Sequence, residues 1–409
     1  VKRSRRFAVN LVYQLTAAAA VGAASIGVQV ILARQLGPDV FGIYGIAASV
    51  AGIAFILQDG GFRTLIYREA THATPGLPDH AAILASAFGW NILASVALLS
   101  LAIAGSMSFG TVLGGAICIM ILTNLGRALT LNLSSLMRAR DLFSTEAGWQ
   151  IIARVWVAAL MLAAMVLTGD LLVILAAGAV GQFAVLSLPM PRQMLPRPRF
   201  AYDSTVLRVC ATLVAIDLVT ALYFRSDVLL MAAFGRGNDE IGIYAALTRM
   251  IEAYIFVVAP VATIFFRLAR LHNSDHHSIN GVLWLLIAMT AGPALALLAL
   301  TIYHHESMVV TIFGAKYQSG AAYLPWLIAA SCCAGPNALL GQVMLARNRD
   351  ILFLASTIGA LIVNLSFNVS LVPAHGALGA ALATFATEFS LTLMLIASLY
   401  LSPRGARSK

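Results

Sequence analysis

ILARQLGPDVFGIYGIAA, residues 31–48, holds a short polar turn between two apolar runs, and it sets the scale for the whole chain. The run before it covers 8–33 and the run after it 42–67. A bilayer's hydrocarbon core is about 30 Å thick and a helix rises about 1.5 Å per residue, so roughly 20 apolar residues make one crossing. Gly37-Pro38 permits the tight turn between them. Outward from this joint, ten more stretches of the same kind follow, at 80–104, 111–134, 146–168, 171–190, 206–233, 241–266, 280–302, 321–345, 351–372 and 377–401. Hydrophobic residues make up 60% of the chain and charged residues 11%, against roughly 25% charged in a soluble domain. The predicted fold is therefore an all-α polytopic membrane protein with about 12 transmembrane helices.

The net charge of +9 raises the question of nucleic acid, but the basic residues sit at alternate helix ends, which argues against it. With the N-terminus assigned to the cytoplasm, 18 Lys and Arg fall on that side and 3 (Arg34, Arg236 and Lys316) on the other. The positive-inside rule then predicts both termini in the cytoplasm and an even helix count. Lys2, Arg3, Arg5 and Arg6 before an apolar run imitate a secretory leader. The run continues to Ala33, well past a leader's usual core, so the first helix is expected to stay. Cys118, Cys210, Cys332 and Cys333 lie in apolar runs without C-x-x-C spacing and read as small buried hydrophobes.

The opening stretch has an echo. LMAAFGRGNDEIGIYAAL at 230–247 repeats a small-residue turn followed by Gly-Ile-Tyr at the start of the next helix, matching Gly37, Gly42 and Tyr44 with Gly235, Gly242 and Tyr244. Between the two copies, PRQMLPRPRFAYDS (191–204) is rich in proline and arginine and reads as a linker. The expected organisation is a six-helix bundle at 1–190, a cytoplasmic linker at 191–205 and a second six-helix bundle at 206–409. Six crossings per half make the repeat parallel, with a pseudo-two-fold axis along the membrane normal, as in one class of transporter.

Three segments carry a family resemblance: ARQLGPDVFGIYGIAASVAGIAFILQDGGFRTLIYREA (33–70), IFGAKYQSGAAYLPWLIAA (312–330) and GQVMLARNRDILFLASTIGALIVNLSFNVSLVPAHGALGAALATFATE (341–388). In this order they resemble the polysaccharide (Wzx-type) flippases of the multidrug/oligosaccharidyl-lipid/polysaccharide exporter superfamily. The resemblance implies a protein that moves oligosaccharide repeat units on polyprenyl pyrophosphate from the cytoplasmic to the periplasmic leaflet of the bacterial inner membrane, for O-antigen or exopolysaccharide synthesis. It implies a transporter rather than an enzyme, with no cofactor, and a polysaccharide polymerase as a further partner. Gly376, Gly379, Ala380 and Ala381 are expected to form a small-residue face on which another helix packs.

Seven charges lie well inside the spans: Arg127, Arg154, Asp217, Arg225, Arg249, Glu252 and Glu388. Facing lipid they would cost on the order of 20 kcal/mol together, so they must face protein or water. Arg249 and Glu252, three apart, share a helix face, as do Asp59 and Arg63 at four apart. A guanidinium stays charged when desolvated and pairs bidentately with phosphate oxygens. Arg249, Arg154, Arg225 and Arg63 are thus candidates for binding the anionic head group. Asp217, Glu252, Glu388 and Asp59 are candidates for ion coupling, and read equally well as counter-ions to the arginines. His272, His276 and His277, and His304, His305 and Glu306, read as polar ends rather than metal ligands.

A cation-coupled drug exporter of the same superfamily is the nearest alternative, although members resembling that branch tend to carry an acid in the first helix and Phe7 to Ala33 has none. Peptidoglycan-precursor flippases typically add an arginine in that helix and two more helices at the C-terminus, and both are missing. A membrane glycosyltransferase or polymerase would need a large loop with catalytic residues, and there is no D-x-D-like acidic pair.

Overall fold

The computed structural model describes residues 2–71, 80–140, 142–188, 194–271, 276–347 and 349–400. In hydrocarbon every backbone N–H and C=O must be satisfied within its own segment, which leaves the helix as the structure open to these apolar runs. The described residues form α1 (Lys2–Asp59), α2 (Phe62–Thr71), α3 (His80–Phe109), α4 (Thr111–Ala139), α5 (Phe143–Thr168), α6 (Leu171–Ala184), α7 (Ser204–Ala233), α8 (Asn238–Leu271), α9 (His276–Phe313), α10 (Leu324–Ala346) and α11 (Asp350–Tyr400). Short 3-10 turns lie at Val185–Ser187 and Ala315–Ala322.

A straight α1 would be about 87 Å long, nearly three times the hydrocarbon thickness. It is broken at Gly37, whose φ of 76° is open to glycine and strained for other residues. The turn quoted first in the sequence is thus the joint between two crossings. Likewise α11, 51 residues long, is broken at Gly376 (φ 55°, ψ −131°). Nine helical segments are long and apolar enough to span among the described residues. Those of 44 and 49 residues contain these breaks and hold two crossings each, and the shorter apolar Leu171–Ser187 supplies one more. The total is the expected twelve. Outward-facing Leu167 (81% exposed) and Ile351 (83%) suit lipid and would be poor in water.

Two details go beyond the sequence reading. The second crossing is interrupted: consecutive positive-φ glycines, Gly60 and Gly61, end α1 and start α2, so Asp59 and Arg63 flank a break rather than sharing one continuous helix. Gly376 is also the break in α11, and the Glu240 carboxylate of α8 packs where a Cβ would stand there, accepting from Ala377 N at 2.7 Å. Ala380 and Ala381 are fully buried, and Gly379 lies against the Leu371 backbone.

The chain divides into two compact units, Val1–Arg225 and Ser226–Lys409. In the first, α1 packs on α4 and α5, and α3 on α4. One of its cores gathers Phe62, Leu65, Ile83, Leu133, Met137 and Trp149, and another gathers Ala47, Ala51, Ile117 and Leu171 around α1 and α4. In the second, α10 packs on α8, α9 and α11 around Leu339, Val343, Met344 and Leu395.

Residues 191–193 of the expected linker and the C-terminal 401–409 lie outside the described residues, as does His272. The part of the linker that is described is strapped to the first unit. Arg199 N donates to Ala85 O at 2.9 Å, Ser86 Oγ to Ala201 O at 3.3 Å, and Tyr202 meets the Trp90 ring edge-on. The strap ends in Asp203, which caps α7 by accepting from Thr205 N at 2.7 Å, and this hydrogen bond holds its carboxyl below the usual range. The strap lies so close to α3 that a Cβ at Gly89 would overlap the Arg199 carbonyl. Gly89→Ala is expected to lift it off α3 and cost about 1–3 kcal/mol, the range for overpacking. Faster proteolysis after Arg197 or Arg199 in the variant would register that release. Unchanged cleavage would show that the strap adjusts in place.

Candidate functional site

The second limb of α1 carries Tyr44, Gly52, Phe55 and Asp59 at spacings of eight, three and four, which put all four along one helical stripe. Onto this stripe other helices of the first unit bring four arginines. Arg127 of α4 lies over the Phe55 ring, its guanidinium carbon 4.9 Å from the centroid. Arg225 of α7 comes in at Gly52, its Nε 3.5 Å from where a Cβ would stand. Arg154 of α5 donates from Nε to Ser25 Oγ at 2.6 Å and lies in electrostatic reach of Tyr44. Arg63 of α2 sits 3.9 Å from Asp59 Oδ1 across the Gly60-Gly61 break.

These groups feel one another. Arg127 is within electrostatic reach of Arg154, Arg63, Arg225 and Asp59. Asp59 is within reach of Arg63, Asp217 and Arg127, and Asp217 of Arg63. Among the described residues, four guanidiniums stand with two carboxylates, a positive surplus. Asp59 is 3% exposed, whereas Arg63, Arg154, Arg225 and Asp217 are half-buried and Arg127 is exposed. An exposed cation in mid-span points to a wet face, since lipid contact would be costly.

The other candidate residues belong to the second unit. Arg249 is nearly fully buried and donates from Nη1 to Glu252 Oε2 at 2.6 Å and from Nε to Ala245 O at 3.1 Å. Glu388, 3% exposed, accepts from Asn337 Nδ2 at 2.7 Å, and Thr392 Oγ1 donates to Asn337 Oδ1 at 2.7 Å. His305 Nδ1 lies 3.1 Å from Thr301 O of its own helix.

Two residues carry more of the site than their sequence context suggests. Arg127, read from the sequence only as a charge needing shelter, has the other three arginines within electrostatic reach. Asp227 was not singled out at all. It is 6% exposed, and its carboxylate accepts from Tyr244 OH and Thr384 Oγ1, both at 2.7 Å, and from Asn364 Nδ2 at 3.0 Å and Asn368 Nδ2 at 2.7 Å. The available signal was the pair Asn364 and Asn368, four apart in an apolar run. This set of Asp, Asn, Thr and Tyr oxygens is hard-ligand chemistry of the kind small cations accept. The four donors also satisfy the carboxylate by themselves.

Comparison with known proteins bears on both the sequence and the fold. The sequence family described as polysaccharide biosynthesis protein matches residues 7–272. No curated protein matches the chain. Among solved structures, the lipid II flippase MurJ in an inward closed conformation is similar with a TM-score of 0.77 at 11% identity, covering 93% of this chain and 85% of that one. An inward-facing multidrug resistance MATE family transporter of the MOP superfamily gives 0.62 at 13% identity over 96% and 93%. A MOP superfamily transporter from Pyrococcus furiosus, described as having a binding pocket of reverse polarity, gives 0.64 at 11% identity over 96% and 94%. At these identities the likeness is one of fold.

Proposed function

Because the chain belongs to the polysaccharide biosynthesis protein family, we propose that it is a flippase for lipid-linked oligosaccharide, carrying sugar repeat units on polyprenyl pyrophosphate from the cytoplasmic to the periplasmic leaflet of the bacterial inner membrane. The observation that carries this reading is the surplus of guanidinium on the wet face of the first unit, at Arg63, Arg127, Arg154 and Arg225. A pyrophosphate diester presents an ionised oxygen on each phosphate, and arginine pairs with such oxygens through short, charge-assisted hydrogen bonds. The same surplus disfavours a drug exporter whose cargo is cationic, since like charges repel. A neutral sugar chain needs only a wet path beside the anchored head group.

Alternating access between inward and outward states moves the head group across, and the acids provide the coupling. Asp59 and Asp217 beside the arginines, and Glu388 and Glu252 in the second unit, are the groups that would exchange a proton. The Asp227 cluster offers oxygens to a small cation instead. Transport by reconstituted protein under an imposed proton or sodium gradient separates these two drives.

Loss of the protein is expected to abolish a surface polysaccharide while its lipid-linked repeat unit accumulates in the cytoplasmic leaflet. A retained polysaccharide would overturn the assignment. For Arg249, replacement by alanine is expected to reduce export and replacement by lysine to retain part of it, because lysine keeps the charge opposite Glu252. Unchanged export in both variants, at normal protein levels, would remove Arg249 from the mechanism.

A further inference from the structure

Buried polar side-chain atoms in folded proteins almost always have a hydrogen-bond partner, and exceptions mark water or ions. Among the described residues, Tyr202 Oη on the linker and Asn368 Oδ1 of the second unit are two such atoms, and five more lie at the end of the first unit where α1, α3, α4 and α5 meet: Gln58 Oε1, Asp59 Oδ1, Asn132 Oδ1, Ser135 Oγ and Trp149 Nε1. Every one of these last five residues is 5% exposed or less.

Gln58 and Asn132 belong to one hydrogen-bonded run of buried polar side chains. Gln58 Nε2 donates to Ser95 Oγ at 2.7 Å, Asn91 Nδ2 to Gln58 O at 2.5 Å, and Asn132 Nδ2 to Asn91 Oδ1 at 2.8 Å. From Asn132 polar residues follow α4 through Ser134 and Ser135 to Arg138, a seam of about 9 Å by helical rise. There Ser134 donates to buried Glu146, with Arg138 3.9 Å from the same carboxylate. The unpartnered set is mixed: the oxygens of Gln58, Asp59 and Asn132 need donors, Trp149 needs an acceptor, and the Ser135 hydroxyl serves as either. Water, which donates twice and accepts twice, fits this set where no single ion would.

We propose that this seam holds a file of water molecules linking Asp59 to Glu146, through which Asp59 exchanges protons with the aqueous phase while shielded from it. Asp59 stands at the inner end of the file, faced by Arg63 from α2, Arg127 from α4 and Asp217 from α7. Glu146 and Arg138 stand at the outer end, on the side the arginine count assigns to the cytoplasm. The water file is independent of the cargo. Its use in proton delivery rests on the flippase reading.

The test is radiolytic hydroxyl labelling of the intact protein in lipid nanodiscs. Bound water generates the label locally, so a buried residue beside it reacts although bulk solvent does not reach it. Met137, fully buried next to the seam, is expected to label at least threefold faster than Met344, equally buried in the apolar core of the second unit. Ser135→Ala, a small change, is expected to slow Met137 labelling, and Asn132→Leu to slow it further. Met137 labelling no faster than Met344 would overturn the water file. For the proton route, infrared spectroscopy in deuterated water follows exchange at the carboxyl band that Asp59→Asn removes. A tenfold slower exchange in Ser135→Ala or Asn132→Leu supports the route, and an unchanged rate overturns it. Neither readout involves flipping, so a different cargo would leave both results standing.

Discussion

Under the proposed function, Arg127→Ala is expected to lower flipping of the lipid-linked sugar by about 10- to 100-fold while leaving the protein's thermal stability unchanged or raised. The first half follows from the loss of one charge-assisted hydrogen bond to the pyrophosphate, worth about 1.5–3 kcal/mol, at about 1.4 kcal/mol per tenfold. The second half follows from the company Arg127 keeps. Three other arginines lie within its electrostatic reach and a single carboxylate opposes them. Removing one of four like charges therefore relieves repulsion in the empty protein. A purely structural arginine would behave in the opposite way, with stability falling and flipping declining only as protein is lost. Arg127→Lys keeps the charge but loses the planar fork, and is expected to fall between wild type and alanine. Flipping in proteoliposomes and a melting curve on the same preparation decide between the two.

The largest effect on stability is expected at Asp227. Its carboxylate collects hydrogen bonds from Tyr244, Thr384, Asn364 and Asn368, tying α7, α8 and both limbs of α11 into the second unit. Asp227→Ala takes the acceptor from four donors, of which Thr384 Oγ1 still reaches Ala380 O and Asn368 Nδ2 still reaches Asn364 O, and each donor left unpaired costs about 1–3 kcal/mol. Repacking and entering water recover some of this, so a loss of at least about 3 kcal/mol is expected, at the severe end for a single substitution. Asp227→Asn keeps the shape and most acceptor geometry but turns one oxygen into a donor facing donors, and is expected to cost less. A melting temperature within a degree or two of wild type for Asp227→Ala would mean the cluster carries no structural load. If sodium raises the melting temperature of the wild type and not of Asp227→Asn, the same oxygens also hold the cation.

The architecture was legible because hydrocarbon imposes a length on every crossing, and the turn at Gly37-Pro38 has no other use than to separate two of them. The break at Gly60-Gly61 was less visible, since QDGGFR sits in a run whose hydropathy stays high enough to read as one span. The docking of the linker escaped altogether. Its bonds run from main-chain atoms of 199–201 to α3 more than a hundred residues earlier, and the one trace in sequence is an unremarkable Gly89.

The charged groups of the candidate site were legible in sequence, and their neighbours in the fold were not. Cost in lipid picks out Arg154, Arg225, Asp217 and Glu388 as groups that need shelter, and helical spacing pairs Arg249 with Glu252, which lie 2.6 Å apart. Spacing along one helix says nothing about helices far apart in sequence, and Arg127 meets Phe55, Arg63 and Arg154 only through the fold. Asp227 stands two residues from Arg225. On a helix, that spacing sends them to different faces. Arg225 joins the arginine face of the first unit, and Asp227 the amide cluster of the second.

The central claim is that the arginine face of the first unit binds the pyrophosphate of a lipid-linked sugar. Its most direct test is equilibrium binding of a short-chain prenyl pyrophosphate, and of the matching uncharged prenol, to the purified protein and to its Arg127→Ala/Arg154→Ala variant. The pyrophosphate is predicted to bind the wild type at least tenfold more tightly than the prenol, with that advantage lost in the variant. Equal affinity for the two lipids, or a pyrophosphate preference that survives the loss of both arginines, would contradict it.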